Sequence, residues 1–215
     1  MSNLWNLNYM NDIKLLQGYI REFDAKSAGI SVLYAEGFMT EEKYHELMNM
    51  EKEKRIVHTG LFIREFKLQE EKEKALNKYV EIFKKENEIK EHQIISRASD
   101  ALWLINVNRI TKTTFGPVMF REDRTASTLL IWKQFNFYYD SWSGEFYIRG
   151  YRQNNIFTKK MKDFLIMLEN NTSQVVIYKF LHSMLLDAHH GIYEDFVSKK
   201  NSIEFIESLV EYFIV

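Results

Sequence analysis

The chain has 215 residues, a formal net charge of −1 and no cysteine. This length suits one globular domain, or a domain with a small appendage, and the missing cysteines exclude disulfides and thiolate zinc sites. The near-neutral charge argues against a protein that coats nucleic acid by charge alone, so any such binding must be local. The start of the chain lacks an export signal, and no apolar run is long enough to span a membrane. We therefore expect a cytoplasmic protein without a membrane association.

The pattern of the first 57 residues predicts one strand and two helices. Apolar or long residues over 13–23 indicate a buried strand that leads into Asp24, and a helix closed by Gly37 follows. Thr40 is a typical N-cap for a second helix, whose apolar face continues to Val57.

A charged helix and a hairpin are predicted next along the chain. Residues 67–90 alternate Glu and Lys at helical spacing around one apolar stripe, which is typical of a solvent-facing helix. Two apolar runs over 92–105 flank the segment from Arg97 to Asp100. This arrangement predicts a β-hairpin that exposes Asp100 at its turn or at the start of its second strand.

The rest of the chain predicts strands and then helices. We expect strands at 115–120, 128–132, 135–139 and 145–148, with a turn at 140–144. Helical spacing returns from Phe157 onward, and the apolar C-terminus needs cover from the body or from a partner. The expected fold class is α+β, with an antiparallel sheet and packed helices over 1–156 and a small helical C-terminal unit over 157–215.

Two aspartates are the strongest candidates for chemistry. Asp24 follows the first predicted strand, and Asp100 lies at the predicted hairpin. Two carboxylates on neighbouring strands are what a two-metal phosphoryl-transfer site requires, and Mg²⁺ prefers carboxylate and phosphate oxygens. Fixed cations stabilise charge on phosphoryl oxygens, and the candidates for contact with a triphosphate are Lys52, Lys54 and Arg55.

The order of these segments resembles the palm domain of template-directed DNA polymerases of the family B type. Four residues of this chain align with motif A of that family: Asp24, Ser27, Ser31 and Val32. The stretch Ala98-Ser99-Asp100-Ala101 matches motif C but keeps only its second aspartate, which is a metal ligand in the family.

Further elements of the resemblance lie between those motifs. The basic run Lys52-Glu53-Lys54-Arg55, with Gly60, follows motif A in the order of the fingers helix. The resemblance covers about residues 13–107 and implies a palm-like sheet, Mg²⁺ held by Asp24 and Asp100, and nucleotide contacts from Ser27 and the basic run. Small bacteriophage proteins are similar in their order of elements, which implies the host cytoplasm as the location.

Each candidate also has a structural explanation, and the alternatives stay open. Asp24 suits the N-cap of the following helix, Asp100 suits an ordinary turn, and the basic run suits a solvated helix end. Aromatic residues over 132–147 suit either a core or a surface that stacks on single-stranded bases. Nearby cations are the nucleic-acid-binding candidates: Arg121, Arg124, Lys133, Arg149 and Arg152.

Two functions from different classes follow. The first is a phage-type protein with a reduced palm-like fold that handles nucleotides or nucleic acid with Mg²⁺ through Asp24 and Asp100. The second is a non-enzymatic viral protein that binds a host or viral protein complex, such as a polymerase or a defence system, through its apolar C-terminal helices. The sequence leaves open whether the protein is an enzyme.

Overall fold

A computed structural model of the protein describes residues 13–98, 100–133, 135–149, 156–194 and 198–214. These residues form an α+β fold, which confirms the predicted class. The helices are α1 (Ala28–Ala35), α2 (Glu41–Met48), α3 (Lys52–Glu65), α4 (Gln69–Glu86), α5 (Ile156–Glu169), α6 (Gln174–His189) and α7 (Lys199–Ile214). The strands are β1 (Ile13–Ala25), β2 (Ile94–Ala98), β3 (Ala101–Ile105), β4 (Thr114–Phe115), β5 (Val118–Trp132), β6 (Phe135–Tyr139) and β7 (Phe146–Ile148).

The strands form an antiparallel sheet in the order β2-β3-β1-β5-β6-β7, and β4 pairs with β5. The predicted hairpin is confirmed, because β2 and β3 pair antiparallel with Ala98 opposite Ala101. Asp100 lies at the turn between them. The predicted turn at 140–144 is also present, since Gly144 donates its N–H to the carbonyl oxygen of Asp140 at 2.8 Å.

Helix ends in the first half of the chain follow the predicted capping residues. Gly37 has a φ of +79° and closes α1. Its N–H donates to the carbonyl oxygen of Tyr34, and the N–H of Phe38 donates to the carbonyl oxygen of Leu33. Thr40 caps α2 by accepting a hydrogen bond from the N–H of Lys43 at 3.3 Å.

The prediction of one continuous helix from Glu41 to Val57 is wrong. The segment forms α2 and α3, with Asn49 as the C-cap of the first helix. Glu51, before α3, has a φ of −55° and a ψ of 147°, which is an extended rather than a helical backbone. The apolar spacing runs across this break, and for that reason periodicity alone merged the two helices.

The strands predicted at 115–120 and 128–132 are present, but their separation is wrong, because one long strand, β5, spans Val118 to Trp132. Its middle residues are charged and partly or fully exposed, so the apolar signal that predicts a strand is interrupted there. Gly116, at the tight turn between β4 and β5, has a φ of +60°. That conformation suits the first central position of a type II′ hairpin turn.

The chain divides into two compact units. The central unit comprises Arg21–Thr125, and the terminal unit comprises Met1–Ile20 with Ala126–Val215. The domain division expected from the sequence, 1–156 and 157–215, stays a prediction. Within the described residues, no helix is long and apolar enough to cross a membrane.

The core of the terminal unit is rich in aromatic rings. Phe205 of α7 packs against Trp132 and Phe137, with ring centroids 4.8 and 5.4 Å apart. Near the C-terminus, Phe213 is partly buried and meets Phe164 edge to face at 5.4 Å. This part of the C-terminus therefore has cover from the chain itself, whereas Val215 is outside the described residues.

The central unit contains two apolar clusters. The first lies around Phe23 of β1 and Phe83 of α4, whose ring centroids are 5.3 Å apart. The second joins α1, α2 and α3 through Ile30, Leu47 and Ile63. Together the clusters fix one end of β1 beside α1, α3 and α4.

Candidate functional site

A cleft of about 460 Å³ opens in the central unit at the end of β1. Its volume lies in the usual range for small-molecule sites, which is roughly 300–1,000 Å³. Its lining includes charged and polar residues: Asp24, Ser27, Lys52, Arg55, Thr59, Lys72 and Asp100. The other lining residues are apolar or glycine: Ala25, Ala28, Gly29, Ile30, Ile56, Gly60, Ile63 and Leu76.

Backbone hydrogen bonds bring the two aspartates to this cleft. Asp24 is the second-last residue of β1, and the next residue, Ala25, donates its N–H to the carbonyl oxygen of Asp100 at 2.9 Å. Lys26 then donates its N–H to the carbonyl oxygen of Met119 at 2.8 Å. The end of β1 is therefore tied to the β2–β3 turn on one side and to β5 on the other.

The electrostatics of the cleft act on Asp24. Partial burial raises the pKa of its carboxyl above the usual value, and the neighbouring charges of Asp100 and Asp123 raise it further. Arg121 and Lys52 act in the opposite direction and lower the pKa. Negative charge is thus concentrated at this point, and a bound cation would relieve the repulsion.

Asp24 is not the N-cap of the following helix, so that alternative is wrong. The residue lies inside β1, and α1 begins only at Ala28. Ser27 occupies the N-cap position with a left-handed backbone, φ 50° and ψ 42°, and its side chain makes no capping hydrogen bond. The Asp24 carboxylate is therefore placed at the cleft by the sheet.

Cations reach the cleft from two helices. Lys52 and Arg55 lie at the start of α3, and Lys72 lies in α4. Arg55 donates from Nη1 to the carbonyl oxygen of Met48 at 3.2 Å, which fixes its side chain beside the helix start. Lys54 does not line the cleft; its Nζ lies 3.7 Å from Glu51 Oε2.

The predicted nucleic-acid-binding residues are divided between the two units of the chain. Arg121 donates to Asp123 at 2.8 Å, and Nη1 of Arg124 lies 3.9 Å from Glu22 Oε2. In the terminal unit, Lys133 pairs with a glutamate of α7, and Arg149 follows β7. Arg152 is outside the described residues.

Most of the neighbouring aromatic rings belong to the core. Trp132, Phe135 and Phe137 are buried in the terminal unit, and Tyr138 is buried as well. Trp142 is exposed, and its ring meets Tyr19 edge to face with centroids 5.7 Å apart. The core interpretation therefore accounts for these buried rings, and binding of bases along this segment stays a prediction.

Sequence reasoning missed several residues of the cleft. Lys72 was included in the solvated charges of its helix, although it is half-buried and lines the cleft. Ile56 and Ile63 lie 7 positions apart on α3, a spacing that could have indicated a shared helix face. No feature of the sequence indicated that Arg121 and Asp123 would influence the pKa of Asp24, because that influence depends on the placement of β5.

A Mg²⁺ ion bound with phosphates typically takes one or two carboxylates and completes its shell with phosphate oxygens and water. Asp24 and Asp100 supply two carboxylates at the cleft. Over the ranges that the structure covers, no group of three or more His, Asp or Glu side chains is arranged to hold a metal ion. A metal at this cleft would therefore depend on its ligand for part of its coordination.

The fold and the cleft define an α+β protein with carboxylates and cations gathered at one concave site. The sequence model of the bacteriophage PBS1 gene 130 protein family matches residues 1–211. The chain belongs to that family and is a phage protein. A search of curated proteins gave no match.

Proposed function

We propose that this phage protein binds the phosphate groups of a nucleotide or a nucleic acid, together with Mg²⁺, in the cleft of the central unit. One observation carries the proposal: Asp24, Asp100, Lys52 and Arg55 all line the same cleft. Carboxylates suit the metal ion, and fixed cations suit the phosphate oxygens that the metal leaves uncovered.

The electrostatics of Asp24 support the metal part of the proposal. Partial burial raises its pKa most, and two neighbouring acidic groups raise it further, so part of the penalty on the ionised form is repulsion that a cation can relieve. A divalent ion between Asp24 and Asp100 would replace their repulsion with attraction to the ion. Ser27 and Lys72 line the same cleft and are further candidates for contacts to phosphate.

A reduced, palm-like fold is the finer form of this proposal. In it, the end of β1 and the β2–β3 turn would correspond to the two metal-binding motifs of the palm domain. Ala98 replaces one aspartate of that pattern, so the proposal is for binding of nucleotide and metal, and turnover is a separate question. The host cytoplasm is the corresponding location.

Thermal melting of the full chain with Mg²⁺ and a nucleoside triphosphate tests this function. Ligands that bind only the folded state raise the melting midpoint. We expect a rise for the native chain and none for an Asp24→Ala, Asp100→Ala double variant. A midpoint that stays constant in the native chain, or rises equally in both proteins, would refute the proposal.

A second candidate function is binding of a host or viral protein through the C-terminal helices. Large apolar side chains are exposed on and after α6, with Val175 63% and Leu186 50% exposed. Val176, Tyr178 and Ile192 are also exposed. Exposed apolar patches of this kind mark protein interaction sites in many proteins.

Charged substitutions on α6 test the second function. Val176→Asp and Leu186→Asp should leave the melting midpoint of the isolated protein unchanged, because both side chains face solvent. They should abolish the capture of a specific protein complex from phage-infected cells. The interaction function would lose its support if native and variant proteins captured the same partners equally.

A further inference from the structure

Two glycines of the cleft differ in what surrounds them. A methyl group added to Gly29 would lie 3.4 Å from Thr59 Cγ2 and 3.7 Å from Ile63 Cδ1, so α1 and α3 pack closely there. Gly60 is exposed, and apart from its chain neighbours and the backbone of its own helix no atom of the described residues lies within 4 Å of the corresponding position. Close packing of α1 against α3 therefore explains why residue 29 is a glycine. No such packing explains the glycine at position 60.

Gly60 is also unfavourable for its own helix. It lies in the interior of α3 (Lys52–Glu65), where glycine is the poorest residue after proline. The residue lines the cleft, and its φ is not in the left-handed region that requires glycine. The space that it leaves is consequently available to a ligand.

The face of α3 towards the cleft changes in polarity along the helix. Lys52 and Arg55 are at its N-terminal end, and Ile56, Thr59, Gly60 and Ile63 follow over the next two turns. The Thr59 hydroxyl donates to the carbonyl oxygen of Arg55 at 2.6 Å, so it is satisfied within the helix. Ile56 remains 62% exposed although it is a large apolar side chain. A ligand that matches this order has phosphate at one end and a weakly polar group at the other.

We propose that the ligand is a nucleoside phosphate whose nucleoside part lies over Gly60, between Ile56 and Ile63. This inference rests on the proposed function, because the phosphates and Mg²⁺ occupy the charged end of the cleft formed by Asp24 and Asp100. The nucleoside covers the exposed surface of Ile56, which favours binding by removing apolar surface from water.

Matched leucine substitutions on α3 test the nucleoside position. Gly60→Leu fills the space in the cleft, whereas Val57→Leu places leucine on an exposed part of the same helix that does not line the cleft. Binding of ATP, GTP, CTP and UTP, each with Mg²⁺, is measured by calorimetry and compared with binding of inorganic tripolyphosphate with Mg²⁺. Melting without ligand checks that the variants fold, and Gly60→Ala provides a smaller change at the same position.

We expect the native chain to bind at least one nucleoside triphosphate about tenfold more tightly than tripolyphosphate, a difference of about 1.4 kcal/mol. Gly60→Leu should lose that preference and keep its affinity for tripolyphosphate. Val57→Leu should behave as the native chain does, and Gly60→Ala should show a smaller loss than Gly60→Leu.

Two results would overturn the nucleoside position and leave phosphate binding intact. One is equal affinity of the native chain for tripolyphosphate and for all four nucleotides. The other is a nucleotide preference that survives in a folded Gly60→Leu variant. Binding of neither ligand class by the native chain would overturn this inference and the proposed function together.

Discussion

The two units of the chain use their charged residues differently. In the terminal unit, Nζ of Lys133 lies 2.5 Å from a Glu204 oxygen, and Asp187 accepts a hydrogen bond from the buried Tyr193 at 3.0 Å. The central unit contains most of the ion pairs among the described residues, Arg21 with Glu122 for example, and it also gathers carboxylates and cations around an open cleft. Partly exposed ion pairs contribute little to stability, whereas charges collected at a concave surface indicate binding.

The largest expected effect breaks the aromatic core of the terminal unit. Phe205→Ala should lower the free energy of unfolding by about 3–5 kcal/mol, since it removes a buried ring and leaves a cavity. Denaturation in urea measures the change. Phe66→Ala is the matched control in the central unit, because Phe66 is 57% exposed, and its effect should stay within about 0.5 kcal/mol. Equal effects of the two substitutions would contradict this account of the core.

A smaller effect is expected from the cations at the start of α3. Lys52→Ala should weaken binding of Mg²⁺ and a triphosphate about fivefold, or about 1 kcal/mol, because a charge-assisted contact is lost. Lys54→Ala is the matched control from the same helix turn, since Lys54 does not line the cleft. Calorimetry should find native affinity in the control. Equal losses in both variants would indicate a general effect of charge.

The smallest expected effect is on the stability of the protein without metal. The pKa of Asp24 is raised in the folded state, so the folded chain binds more protons than the unfolded chain in the window above the ordinary value of 3.8. Stability is therefore lost as the pH rises through that window. Asp24→Asn removes this loss of stability and should raise the free energy of unfolding at pH 7 by about 0.5 kcal/mol. The value is small because solvent screens the half-exposed group.

The pH profile provides the check on that prediction. Below a pH of about 3.8, the native aspartate is protonated in both states, so native and Asp24→Asn chains should unfold with equal free energies. Unfolding in urea without divalent ions, followed between pH 3 and pH 7, measures the difference. A variant less stable than the native chain at pH 7 would show that the carboxylate stabilises the fold.

Local features of the fold were predictable from the sequence, because short-range chemistry determines them. Gly37 and Thr40 closed and opened their helices as expected, and the β2–β3 hairpin formed where two apolar runs met. The break at Glu51 and the continuity of β5 were missed because their backbones do not follow the apolar spacing.

The candidate cleft was only partly predictable for a different reason. Asp24 and Asp100 stood out because each lies at the end of an apolar run. Lys72 is surrounded by similar charges on α4, and only the packing of that helix shows which lysine faces the cleft. The open space at Gly60 is likewise visible only in the folded structure.

The most direct test of the central claim is a titration of the full chain with Mn²⁺, followed by electron paramagnetic resonance in the presence of a triphosphate. The account predicts that the native chain binds a metal ion that is lost in both the Asp24→Asn and the Asp100→Asn variants, although melting shows that both variants are folded. Equal Mn²⁺ binding by all three proteins would contradict it.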